Sequence, residues 1–143
     1  MAYPDWLTAP MRKELTDVGA RELRSAADVD AIVGEPGVVM MVVNSVCGCA
    51  AGKARPGIAK ALEHANRPDV IGTVFAGADV DATDRARSYF TGFPPSSPSI
   101  ALLRGGKLLY LMERKDIEVS SAERIADQLT LAFDEHCSTA AAR

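Results

Sequence analysis

Basic residues are not in excess in this chain: Lys plus Arg number 16 against 19 Asp plus Glu, for a net charge of −3. A weakly acidic chain has no electrostatic case for binding nucleic acid or an anionic membrane surface. No apolar run approaches the roughly 18 residues that a membrane-spanning helix needs. The opening residues Met1-Ala2-Tyr3-Pro4-Asp5-Trp6 lack the basic start and apolar stretch of a signal peptide, so a cytoplasmic location is expected. Histidine is scarce, with two residues, His64 and His136, both expected at the surface near helix ends. Cysteine is scarce too, and its count of three is odd. An odd number in a reducing compartment argues against a disulfide scaffold.

What remains is ordinary globular material: 143 residues, 48% hydrophobic and 24% charged. That suits one domain over 1–143 with a substantial core. No repeat or long linker divides it. A first helix is expected from residue 8 to about 18, capped by Thr8, with Pro10 in its first turn and Gly19 as its stop. Ser25 with Asp28 resembles a capping box for a second, ending at Gly34. Residues 1–37 thus read as a helical extension.

Val38 to Val43, VVMMVV, is a continuous apolar run of strand length, fit for a buried central strand. An Ala-rich helix follows from residue 48 to about 64, kinked by Pro56, and a second strand over 70–75. Strand, helix, strand at this spacing predicts a parallel pair. A helix over 79–89 and a proline-rich loop over 91–98 come next. Apolar runs over 99–103 and 107–112 flank Arg104-Gly105-Gly106, a hairpin signal. Ser120 with Glu123 predicts the cap of a last helix with the stripe Ala122, Ile125, Ala126, Leu129 and Phe133. The expectation is an α/β fold: a mixed four-stranded sheet with helices on both faces and a frayed tail over 138–143.

Cys47 and Cys49, separated only by Gly48, stand where the first strand hands over to a helix. Chemistry in open α/β sheets collects at the carboxyl ends of strands. A helix start presents unpaired N–H groups and the positive end of the dipole, both of which favour a thiolate over a thiol. Cys47 is therefore the candidate nucleophile and Cys49 the resolving or modulating thiol. Gly48 is expected to supply the bend that two such close thiols need. A ring closed over one residue is strained and hence easily reduced. An outside thiol is the other possible resolver. Lys53 and Arg55 either support the thiolate or form an ordinary solvated helix face. Neither histidine is near enough in sequence for a Cys–His relay. Pro98 either sets the edge of the next strand or forms a cis bond with Ser97, whose backbone would then lie beside the thiols and pair with an extended substrate. Cys137 is either an inert thiol or a third redox thiol.

This layout is thioredoxin-like, with one residue fewer between the cysteines than the familiar CxxC. The stretch Val42-Val43-Asn44-Ser45-Val46-Cys47-Gly48-Cys49-Ala50-Ala51-Gly52 resembles the bacilliredoxin family. So do Thr73-Val74-Phe75-Ala76-Gly77, Tyr89-Phe90-Thr91-Gly92, Pro95-Ser96-Ser97-Pro98-Ser99 and the region ending in Cys137. The resemblance implies a thioredoxin-like fold and thiol–disulfide exchange. Members remove bacillithiol, a small thiol, from cytosolic proteins that carry it as a mixed disulfide, and are associated with disulfide isomerisation. Carried onto this chain, Cys47 would take the small thiol, Cys49 would resolve or modulate, and Pro98 would be the cis proline. The implied partners are thiolated cytosolic proteins, bacillithiol or a similar small thiol as co-substrate, and a recycling reductase. No bound cofactor is implied. Two other classes compete: a metal or iron–sulfur site built from Cys47, Cys49 and Cys137, and a non-catalytic interaction module.

Overall fold

The strand β2 (Val38–Asn44) is buried at every position and lies at the centre of the sheet. Its alternating side chains serve two cores. Val38, Met40 and Val42 pack with Leu15, Ile58, Ile125, Leu129 and Phe133. Val39, Met41 and Val43 pack with Val29, Ile32, Val33, Ala82 and Ala86. A strand apolar on both faces must be covered on both, which fixes the layering of the molecule. A computed structural model describes residues 2–138; of the tail expected to fray, 139–143 lie outside the described residues.

The elements run α1 (Asp5–Thr16), β1 (Arg21–Glu22), α2 (Ala26–Val33), β2, a π-helical turn (Ala50–Ala54), α3 (Arg55–Ala61), β3 (Val70–Phe75), α4 (Val80–Ser88), β4 (Ser99–Arg104), β5 (Lys107–Met112), α5 (Arg114–Glu118) and α6 (Ala122–His136). The strand order is β1-β3-β2-β4-β5. β2 and β3 are parallel, and β4 runs antiparallel to both β2 and β5. Helices α1, α3 and α6 cover one face; α2 and α4 cover the other. The β4–β5 hairpin turns through Gly105 and Gly106, both at positive φ, as a tight turn matching strand twist requires.

Five details differ from the sequence expectation. The sheet has five strands, not four. β1 comes from the stretch expected to be purely helical and pairs parallel with β3 through Arg21↔Gly72 and Glu22↔Thr73. Two exposed polar residues carry no periodic signal, so the edge strand was silent in the sequence. Helix α1 starts at Asp5 after Pro4, so Thr8 is interior and buried, accepting a hydrogen bond from Arg12 Nε at 3.1 Å. Pro10 accordingly stands beyond the first turn. The short helix α5 was not expected. Its presence moves the α6 cap from Ser120 to Ser121, because the Ser120 hydroxyl is already donating to the Asp116 carbonyl at 2.9 Å. Finally, the backbone before Pro56 widens into a π turn, in which Arg55 N–H reaches the Ala50 carbonyl. That widening accommodates the proline that the sequence placed inside this helix.

Candidate active site

Asn44, the last residue of β2, organises the bend that follows. Its Oδ1 accepts from Ser45 N–H at 2.9 Å and from Arg55 Nη1 at 3.0 Å, while its Nδ2 donates to the Met11 carbonyl at 3.2 Å. Arg55 Nη1 also donates to the Ser45 carbonyl at 2.9 Å, and its Nε lies 3.1 Å from Glu14. Arg55 is thus 3% exposed. This corrects the expectation of a solvated face: Arg55 is a buried brace tying α1, β2 and α3 at the carboxyl end of the sheet. Lys53 is drawn away as well, donating to the Glu118 carbonyl at 2.6 Å.

The brace delivers Cys47 to the start of the helical turn. Its backbone N–H donates to Ser45 Oγ at 3.2 Å, and its carbonyl accepts from Ala50 and Ala51 N–H at 3.1 Å each. Burial alone would push the Cys47 thiol up. The Ser45 hydroxyl, the N–H groups of Ala50 and Cys49, and the positive charge of Arg114 outweigh it, so the thiol is held below its ordinary value. The sulfur takes the place that a hydroxyl oxygen takes at an ordinary helix cap.

Cys47 and Cys49 are both thiols of intermediate exposure, and Cys49 packs against the core beneath. Gly48 is exposed between them. Its φ is outside the left-handed region and a Cβ there would meet nothing within 4 Å. Gly48 thus adopts no left-handed backbone conformation while both cysteines are thiols.

Pro98 is buried, and the Ser97–Pro98 bond is cis. The register pairs Val43 with Ser99, so Pro98 sits beside the Asn44 end of β2, where the chain turns toward Cys47. The Ser97 carbonyl accepts from Arg114 Nη1 at 3.2 Å. Arg114 N–H also reaches Ser96 Oγ at 3.4 Å.

Cys137 lies elsewhere. It follows α6, whose His136 carbonyl accepts from Arg104 at 2.8 Å, and Arg104 pairs with Val38 at the opposite end of β2. Six strand steps of about 3.3 Å put the two ends of β2 roughly 20 Å apart. Cys137 therefore does not join Cys47 and Cys49 in one ligand set or one exchange relay. Among the described residues no cluster of three His, Cys, Asp or Glu side chains is arranged to hold a metal. His64 pairs with Asp134 at 2.7 Å, away from the thiols.

Two functional groups escaped the sequence reading. Ser45 was legible in principle, since a hydroxyl two residues before a helix start commonly bonds the local backbone. Arg114 was not, because it comes from a distant helix that was itself unforeseen.

The family model described as disulphide isomerase matches residues 3–137. A bacilliredoxin of Koribacter versatilis is 56% identical over 140 residues, covering 97% of each chain. A bacilliredoxin of Cytophaga hutchinsonii is 50% identical and covers 93% of this chain and 98% of its own. One of Geobacillus kaustophilus is 50% identical, over 88% of this chain and 87% of that one. Among solved structures, a protein with a thioredoxin fold matches with a TM-score of 0.58 at 21% identity, over 77% of this chain and 95% of that one. Thioredoxin from Malassezia sympodialis matches at 0.57 and 17% identity, over 82% and 90%. The likeness to solved structures establishes the thioredoxin fold. The sequence relatives go further, and with them the chain belongs to the bacilliredoxin family of thiol–disulfide oxidoreductases.

Proposed function

We propose that this protein acts in the cytoplasm, reducing mixed disulfides between proteins and bacillithiol or a similar small thiol, with Cys47 as nucleophile. One observation carries the reading: the Cys47 sulfur meets the Ser45 hydroxyl, two backbone N–H groups and the charge of Arg114. The thiolate is the attacking species in exchange. Cys47 attacks the small-thiol sulfur, forming a Cys47–small-thiol disulfide and expelling the protein as a thiolate. Cys49 then attacks Cys47 Sγ, forming the Cys47–Cys49 disulfide and releasing the small thiol. Two electrons have passed from the cysteine pair to the substrate. A recycling reductase or a second thiol returns them. Every electron moves through sulfur, so this chemistry needs no bound cofactor.

Gly48 permits the tight ring of the oxidised pair, and the Ser97–Pro98 segment borders the site. The match to the disulphide isomerase model favours a second use of the same sulfur, namely attack on a misplaced protein disulfide.

The test is mass spectrometry of the reaction with a protein carrying bacillithiol as a mixed disulfide. The expected product is the small thiol on Cys47 in the Cys49→Ser variant, and no transfer in Cys47→Ser. Full activity of Cys47→Ser would sink the assignment.

A further inference from the structure

Helix α5 wedges one cationic side chain between the two segments that form the site. At its amino end, the Arg114 N–H sits on Ser96 Oγ and Nη1 on the Ser97 carbonyl. At its carboxyl end, the Glu118 carbonyl accepts from Lys53 in the π turn that follows Cys49. Helix α5 is thereby held to the cysteine-bearing turn at one end, and Arg114 at its other end to the loop before Pro98. Its side chain is 44% exposed, and its nearest anion is Glu118 at 3.5 Å from Nε, a pair that is itself half exposed. Among the described residues, no hydrogen-bond partner takes Nη2. Arg87, from α4, places a second guanidinium on the Ser96 carbonyl at 3.2 Å, and its buried Nε has no partner.

We propose that Arg114, backed by the charge of Arg87, is a carboxylate-binding position that selects an anionic small thiol and turns its sulfur, rather than the protein's, toward Cys47. A guanidinium edge matches a carboxylate in geometry and charge. A mixed disulfide has two sulfurs, and which one is attacked decides whether the small thiol or the protein ends on the enzyme. Holding the carboxylate at Arg114 selects the small-thiol sulfur. The inference rests on the reading of Cys47 as the nucleophile.

The experiment uses the full chain carrying Cys49→Ser and one reporter peptide as mixed disulfides with mercaptosuccinate, an anion, and with 2-mercaptoethanol, which is neutral. Mass spectrometry follows the rate and reports whether small thiol or peptide is bound to Cys47. The intrinsic reactivities of the two thiols differ, so the quantity read is the anionic-to-neutral rate ratio compared between enzyme variants. A change in the thiolate fraction of Cys47 affects both substrates alike and cancels. In Arg114→Gln the ratio should fall about tenfold, the size of one charge-assisted hydrogen bond. Peptide bound to Cys47 should rise for the anionic substrate alone. Arg114→Lys should recover part of the ratio, and Glu118→Gln, which removes the competing carboxylate, should raise it. An unchanged ratio and product split in Arg114→Gln would overturn the proposal while leaving the nucleophile reading intact. Exchange that persists in Cys47→Ser would instead overturn that reading and this inference with it.

Discussion

At the scale of the residue, the site is a contest over one proton. Burial works against the Cys47 thiolate, and the Ser45 hydroxyl, two N–H groups and Arg114 work for it. Because the lowering groups win, the thiolate persists to lower pH than in an ordinary cysteine, and exchange slows only as pH falls through that lowered value. Ser45→Ala removes a stabilising partner, so its pH–rate midpoint should move upward. At pH 7 the variant should react severalfold more slowly, as expected for the loss of a hydrogen bond to a charged atom. Stopped-flow alkylation across pH measures this, and an unmoved midpoint would remove Ser45 from the site. The place of Cys47 was readable from its position after an apolar strand. Its partners were read less evenly. Lys53 and Arg55, a few residues after the cysteines, bond the Glu118 carbonyl and the Asn44–Ser45 bend instead of the thiol. Arg114 comes from far along the chain, where no local pattern connects it to a cysteine.

At the scale of the element, α3 and α6 approach closely at Gly57, just after the cysteine-bearing turn. A Cβ on Gly57 would lie 2.7 Å from Ile125 Cγ2 and 3.0 Å from the Ala122 carbonyl. Gly57→Ala gains about 1 kcal/mol of helix propensity but forces overpacking of about 2 kcal/mol, so a net loss of about 1 kcal/mol is expected. Gly52→Ala, where a Cβ meets nothing within 4 Å, should show no loss. Urea midpoints of the two variants decide the matter. Equal midpoints would mean that the helices are not in close contact at Gly57. Long elements with strong patterning, such as β2 and α6, could be read from sequence because burial alone dictates them. The two-residue β1 could not, since it is held by tertiary pairing, and the five-residue α5 is too short for a periodic signal although Glu113 and Asp116 form its capping box.

At the scale of the whole molecule, α1 is bound across the carboxyl end of the sheet by one buried ion pair. Arg12 donates to both Asp79 oxygens at 2.7 and 3.0 Å, and Asp79 in turn accepts from Phe75 N–H. The guanidinium also lies 5.1 Å from the Phe75 ring centre. Arg12→Met leaves the buried Asp79 carboxylate with only the half-exposed Arg24, 4.0 Å away, as its cation, which should cost about 3 kcal/mol and lower the melting temperature by about 10 °C. Calorimetry tests this, and a fall of only a degree or two would mean that the pair is not buried. If residues 1–143 form one domain, that melting should be a single cooperative transition. The separation of Cys137 from the pair also belongs to this scale. Cys137→Ser should leave exchange within about twofold of the parent, because Cys137 and the pair lie toward opposite ends of β2. Nothing in the spacing of three cysteines along the chain reveals that distance, which only the register of β2 against β4 supplies.

The most direct measurement is the pH dependence of iodoacetamide alkylation at each cysteine, resolved by peptide mass spectrometry. Cys47 should react first, with a midpoint below that of an ordinary thiol near 8.5. A rate at Cys47 that climbs as in an unstructured peptide, or lags behind Cys49, would contradict the account.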